Sequence, residues 1–326
     1  MSKERLDYVD ILKGIGILFV IFSHSGAEEW LMSNMGDFFV PLFFIASGYT
    51  YRYSNHSLRE AFAKRVKRLL KPYFFFSILM LLLYKRSSLF DIVGVFYSRY
   101  CLFPYYTTDN IILLGGGNPP LWFLTSMITA SVPFFLLMKY PKYDKWFLCV
   151  FILYTFSCQY LPILLPWSMD TACLTGAFMY AGMLLRKDMK LLERSWPFYI
   201  AIFLLFFCAC LLNGGDNLSV REYGRSFLLY YLACVLGTVF LLKISQFLER
   251  TPLCDVMVSV GRHSLVIFGI QMFLLRLCHQ LFHGLLHMPT EGWVFYLISL
   301  MKVLLVAITG VYISKTMNKY IPWVFK

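Results

Sequence analysis

Val9-Asp10-Ile11-Leu12-Lys13-Gly14-Ile15-Gly16-Ile17-Leu18-Phe19-Val20-Ile21-Phe22-Ser23-His24-Ser25-Gly26-Ala27 is the stretch on which the fold turns. Its length suits one bilayer crossing, which takes about 20 residues at 1.5 Å each. Three ionisable groups interrupt it. Eleven residues separate Lys13 from His24 and fourteen separate Asp10 from His24. At about 100° per residue these steps return to within roughly 20° and 40° of one direction, so the three groups share one helical stripe. Ionisable groups are expensive in lipid and mark a functional interior. The basic start before this run and the small residues Ser25-Gly26-Ala27 resemble a cleaved leader, but Asp10 and Lys13 fall where a leader is uncharged, so a retained first span is expected.

Working outward, apolar runs of similar length recur to the end of the chain. Of the 326 residues, 59% are hydrophobic and 15% charged, and the mean hydropathy is +0.64. A soluble protein carries closer to a quarter charged residues, so the composition predicts an all-α polytopic membrane protein. Ten spans fit: 9–27, 37–52, 72–84, 119–138, 146–165, 170–185, 197–213, 226–243, 261–282 and 293–314. The third is short for a bilayer and is expected to extend through Lys85 and Arg86 or to tilt. With no internal repeat and no soluble appendage, residues 1–326 read as a single transmembrane domain.

The net charge of +12 would suggest nucleic acid in a soluble protein. Here the basic residues fall between apolar runs, so the charge reads as topology and nucleic acid is excluded as a partner. With the N-terminus inside, the inner segments hold 22 of the 30 lysines and arginines, while the outer ones hold only Lys85, Arg86, Arg99, Arg221 and Arg225. Both termini are therefore expected on the cytoplasmic side. Two connections stand out: the basic inner segment Arg52 to Lys71, and the long outer segment Lys85 to Pro120 with Tyr97, Tyr100, Tyr105, Tyr106 and Gly115-Gly116-Gly117-Asn118. The nine cysteines form no disulfide or metal pattern and receive no role.

His24 is the leading candidate for chemistry. Imidazole is the side chain best suited to take a proton from a hydroxyl near neutral pH. Lys13 lies ~16 Å nearer the inner surface; it is placed to attract a phosphate or orient a thioester donor, or to snorkel to the inner headgroups. Asp10, three residues before Lys13, is placed to pair with it as structural support. Arg65 and Arg68 share a helix face within Arg65-Val66-Lys67-Arg68-Leu69-Leu70-Lys71-Pro72, a spacing that can hold phosphate oxygens, although basic residues there also serve anionic lipid. Ser47-Gly48 offers small residues for helix packing, and Trp122 belongs to an interfacial belt or to a sugar face. Ser47 and Trp122 are the substrate-binding candidates. His279, His283 and His287 repeat at four-residue spacing, but without a carboxylate pattern no metal is expected.

Together these residues resemble the acyltransferase 3 family, membrane enzymes that O-acylate sugars, polysaccharides and other hydroxyl acceptors. The resemblance rests on Asp10 to His24, with Lys13 and His24 at the positions of the family's basic residue and essential histidine. It continues with Pro41-Leu42-Phe43-Phe44-Ile45-Ala46-Ser47-Gly48-Tyr49, the Arg65 and Arg68 pair followed by Leu69 and Pro72, and Pro120-Leu121-Trp122-Phe123-Leu124. A weaker fifth match is Gly261-Arg262-His263-Ser264-Leu265-Val266-Ile267-Phe268. Ten spans with inside termini also look like the family. The Lys13 form and the Ser47-Gly48-Tyr49 context are similar to the branch of capsule and exopolysaccharide O-acetyltransferases. Lysine stands where many members carry arginine, and the two are not equivalent; Gln271 stands where many carry a histidine, so no second histidine is carried over.

The resemblance implies acyl transfer from acyl-CoA, acetyl-CoA foremost, to a glycan or polysaccharide hydroxyl. It also implies a multi-pass place in a bacterial inner membrane and the possibility of a homo-oligomer. Arg65 and Arg68 would hold the donor's phosphates at the inner face, the pantetheine arm would run beside Lys13, and His24 would deprotonate the acceptor or briefly carry the acyl group. No metal is implied. Two other classes are open to the residues alone. A proton-coupled transporter of a small solute or glycan intermediate would use Asp10, Lys13, His24 and Arg276, although no inverted repeat is evident. A non-catalytic membrane partner of a glycan assembly system would bind no acyl donor.

Overall fold

The structure is a computed structural model that describes residues 6–26, 36–52, 57–104, 114 and 119–325. Tyr105, Tyr106 and the Gly115–Asn118 run lie outside the described residues. Among the described residues the chain is helical and contains no strand. Its helices are α1 (Asp7–Ser23), α2 (Phe39–Tyr49), α3 (Leu58–Leu83), α4 (Leu89–Tyr97) and α5 (Pro119–Lys139), followed by α6 (Asp144–Cys158), α7 (Ala172–Lys187) and α8 (Trp196–Asn213). The last four are α9 (Phe227–Leu248), α10 (Cys254–Arg262), α11 (Ser264–Leu285) and α12 (Gly292–Tyr320).

Five of these are long and apolar enough to cross a membrane: α5, α8, α9, α11 and α12. On α8, Leu204, Leu205, Leu211 and Leu212 are exposed, and on α12 Leu300, Leu304 and Ile308 are. Rows of bare leucine on apolar helices are what lipid contact requires. The all-α membrane architecture read from composition is therefore present. The ten apolar runs correspond to helices of unequal length: α1 has 17 residues and carries Asp7, Asp10 and Lys13, and α2 has 11.

Two helices differ from expectation for local reasons. The short third span does not extend forward through Lys85 and Arg86. It is instead the apolar half of the 26-residue α3, which runs backward through the basic segment. A reciprocal cap starts it: Glu60 N–H donates to Ser57 Oγ at 3.2 Å and Ser57 N–H to Glu60 Oε2 at 3.3 Å. Pro72 sits inside α3, and the helix continues through it. The ninth apolar run is divided at His263 into α10 and α11.

The chain forms two compact units. The first comprises Met1–Phe43, Lys190–Gly215 and Leu228–Ile321. Within it α1 crosses α10 at glycines: a Cβ on Gly261 would lie 1.7 Å from the Asp10 carbonyl oxygen, and one on Gly14 would lie 2.7 Å from that of Met257. Only hydrogen at these positions lets the two backbones touch.

The second unit comprises Phe44–Met189, Asp216–Phe227 and Pro322–Lys326. Here α2 crosses α7 in the same manner, with Gly48 against the Met179 carbonyl and Gly182 against that of Ile45. Asp170 ties three connections of this unit together. Its carboxylate, fully buried, accepts from Arg99 Nη2, lies 3.3 Å from Arg221 Nε, and accepts from the Leu165 N–H at 3.2 Å. Arg99 also donates to the carbonyls of Leu165 and Ser219, and Arg221 to those of Cys158 and Leu161. Two arginines that read as outer-loop charge are thus internal cross-links.

Candidate functional site

The candidate residues fall into two sets, one in each unit. In the first unit α1 positions Asp10, Lys13 and His24. Asp10 is buried, and Lys13 Nζ lies 3.5 Å from its Oδ1, the pairing that the three-residue spacing predicts. Arg262, the last residue of α10, adds what spacing does not reveal: its Nε lies 3.3 Å from Asp10 Oδ2 and its Nη2 2.8 Å from Asp7 Oδ1. The glycine crossing brings α10 close enough for this reach. Glu249 Oε1 also accepts from the Tyr8 N–H at 3.2 Å, serving one of the unpaired donors in the first turn of α1.

His24 ends this helix. Its N–H donates to the Ile21 carbonyl at 3.2 Å, and Ser25 N–H donates to that of Phe22 at 3.0 Å. The imidazole is half-buried, and no side chain or backbone group among the described residues hydrogen-bonds it. Ser23 and Ser25 turn their hydroxyls back to the carbonyls of Val20 and Phe22. Among the described residues, the one uncommitted polar side chain at this end of α1 is therefore the imidazole. Of the four groups a transport path would use, Arg276 is exposed on α11.

The second unit holds Ser47, Arg65, Arg68 and Trp122. Arg65 turns inward: its Nη1 donates to Ser47 Oγ at 3.1 Å and approaches Met179 Sδ at 3.9 Å, with the guanidinium 6.0 Å from the Phe135 ring centre. Arg68, one helical turn on, is exposed. Burial, and then the neighbouring Arg68 charge, pulls the Arg65 pKa down to about 10, which leaves it cationic at neutral pH. The pair thus presents one anchored and one exposed guanidinium on the same helix face, a combination suited to phosphate oxygens.

Trp122 is buried rather than lipid-facing, its ring edge-on to Phe123, which in turn meets Phe44. The Ser47 hydroxyl is occupied by the Arg65 guanidinium. The structure brings Arg65 together with Ser47, and Lys13 with Asp10. It leaves His24 at the far end of α1 from Lys13.

Sequence reasoning missed the role of Arg262, although it lies in the fifth quoted match. Its partners are over 250 positions away, and no local pattern announces them. Gln271 is fully buried in α11 with neither amide atom hydrogen-bonded among the described residues. The histidines at 279, 283 and 287 join no cluster able to hold a metal among the described residues.

A family model described as an acyltransferase domain matches residues 6–312, nearly the whole chain and every residue of both sets. No curated protein and no solved structure matches it.

Proposed function

The chain belongs to this acyltransferase family and is a membrane acyltransferase; on that premise we propose that it moves an acetyl group from acetyl-CoA to a hydroxyl of a sugar, in a capsule or exopolysaccharide glycan. Arg65 and Arg68 bind the donor's phosphates, and Lys13, steadied by Asp10, adds a positive charge for the donor. His24 performs the proton transfer. It takes the acceptor's hydroxyl proton as that oxygen attacks the thioester carbonyl. The carbon–sulfur bond breaks, and the leaving thiolate recovers the proton, so the products are the ester and free coenzyme A thiol. No metal enters the reaction.

The observation that carries this reading is the state of the His24 imidazole: half-buried, and without a hydrogen-bond partner among the described residues, while the cations and carboxylates of the same helix are paired. A structural histidine spends its nitrogens on neighbours. The charge distribution supports a donor side facing the cytoplasm, with both termini on that side; the bacterial inner membrane is what the family resemblance implies.

Mass spectrometry of surface glycans from cells with and without the protein tests the reading. Loss of a 42-Da acetyl increment (about, per ester) from a defined sugar is expected. Identical glycans in both strains, with purified protein that binds no acetyl-CoA, would overturn it.

A further inference from the structure

Lys302 is a buried cation in the middle of α12, the longest apolar helix. A lysine placed there needs compensation, and its partners are unusual. Its Nζ donates to the Ser25 carbonyl at 3.1 Å and lies 3.0 Å from His283 Nε2. His283 Nδ1 in turn lies 3.0 Å from the Met288 carbonyl oxygen. A carbonyl only accepts, so Nδ1 carries the ring proton and Nε2 offers its lone pair to the ammonium. Hydrogen bonds thus run in one unbroken line, from the imidazole to Met288 at one end and from the lysine to Ser25 at the other.

Ser25 follows His24 directly. The end of α1 exposes carbonyls that no longer find partners within the helix, and its last turn carries no basic residue. Lys302 supplies the missing cation from another helix, where the negative end of the helix dipole favours it. Phe295, seven residues earlier on α12, makes a second contact with the same turn. It lies 5.5 Å from the ammonium by its ring centre, and a Cβ on Gly26 would be 2.7 Å from its Cζ. Gly26 has φ +104°, which a residue with a side chain rarely adopts. His283 is held where it is by a wide π-helical turn, Gln280–Leu285, that closes α11; such turns recur at functional positions.

We propose that Lys302 and His283 are positioning residues that fasten the His24–Gly26 turn and so fix the direction of the His24 imidazole. The inference rests on the proposed role of His24 for its catalytic consequence, while the fastening itself stands on the contacts above. It also gives His283 a purpose other than metal: both of its nitrogens are engaged, and its ring lies 4.8 Å from that of His279, tilted at 48°.

The test uses the full-length protein in detergent with three variants, Lys302→Met, His283→Phe and Lys302→Gln, read by hydrogen exchange and by acyl transfer. Lys302→Met is expected to speed exchange of the His24 and Ser25 amides about tenfold, with α8 peptides unchanged. Its kcat is expected to fall about 100-fold while KM for acetyl-CoA stays within about twofold. His283→Phe should shift both readouts the same way and less. Lys302→Gln, which keeps two N–H donors, should recover a substantial part of kcat; it also serves if Lys302→Met loosens α8 and has therefore unfolded. Unchanged exchange at residues 24 and 25 in a folded Lys302 variant overturns the proposal, and so does faster exchange with wild-type kcat. A wild-type protein inactive with every acyl donor would overturn the proposed reaction instead, and the exchange measurement would still decide whether the pair holds the turn.

Discussion

Arg262 reaches Asp10 across 252 positions of sequence, its Nε 3.3 Å from Oδ2, because Gly261 beside it lies against the Asp10 backbone. The ion pair and the glycine crossing occupy the same place but differ in weight. Arg262 is about two-fifths exposed, so its charge is screened. The crossing has no room at all. Gly261→Ala should therefore destabilise the protein by roughly 1–3 kcal/mol or more, and Arg262→Ala by less than about 1 kcal/mol. Thermal unfolding in detergent ranks the two; the reverse order would show that charge, not packing, holds α1 to α10.

Donor binding should depend on Arg65 more than its exposure suggests. Arg65→Ala is predicted to weaken binding of coenzyme A by about 10- to 100-fold, measured by titration calorimetry. Arg65→Lys should recover only part of this, because an ammonium lacks the planar fork. Ser47→Ala, which frees the guanidinium, should weaken binding by a few-fold, about that of one lost hydrogen bond. Wild-type affinity in Arg65→Ala would remove the arginine pair from the donor site.

The same residue sets a pH expectation. With its pKa pulled down to about 10, Arg65 is protonated throughout the neutral range, and its contribution to donor affinity is lost only as pH rises through that value. Coenzyme A affinity should accordingly be flat from about pH 7 to 9. A steep loss across that window would place the phosphate contact on another group.

Asp170 balances two buried guanidiniums, so removing it leaves both Arg99 and Arg221 uncompensated. Asp170→Ala should cost roughly 3–5 kcal/mol, seen as a large drop in the unfolding midpoint or as loss of folded protein. A variant as stable as wild type would show that the carbonyls around the arginines suffice.

Much of this was legible in the chain. The stripe of Asp10, Lys13 and His24 follows from helical spacing, and the Asp10–Lys13 pair is present as that spacing predicts. The apolar runs fix helices, and the ordered matches point to the family. What could not be read are contacts made between distant segments. Asp170 is an ordinary aspartate between Met169 and Thr171 until Arg99 and Arg221 fold onto it. Lys302 reads as one charge within a span until Ser25 and His283 surround it. The extent of α3 was obscured by Pro72, which reads as a helix boundary and is instead accommodated within the helix. The spacing of His279 and His283 was visible, but its use was not, because the π-helical turn that aims His283 has no local signature.

The central claim concerns one imidazole, and the most direct measurement is acetyl transfer by purified His24→Ala protein, with acetyl-CoA and the acceptor glycan, beside a coenzyme A titration of the same sample. The account predicts that transfer falls to background while coenzyme A affinity stays within about twofold of wild type. Transfer at the wild-type rate by a variant that lacks this ring would contradict it.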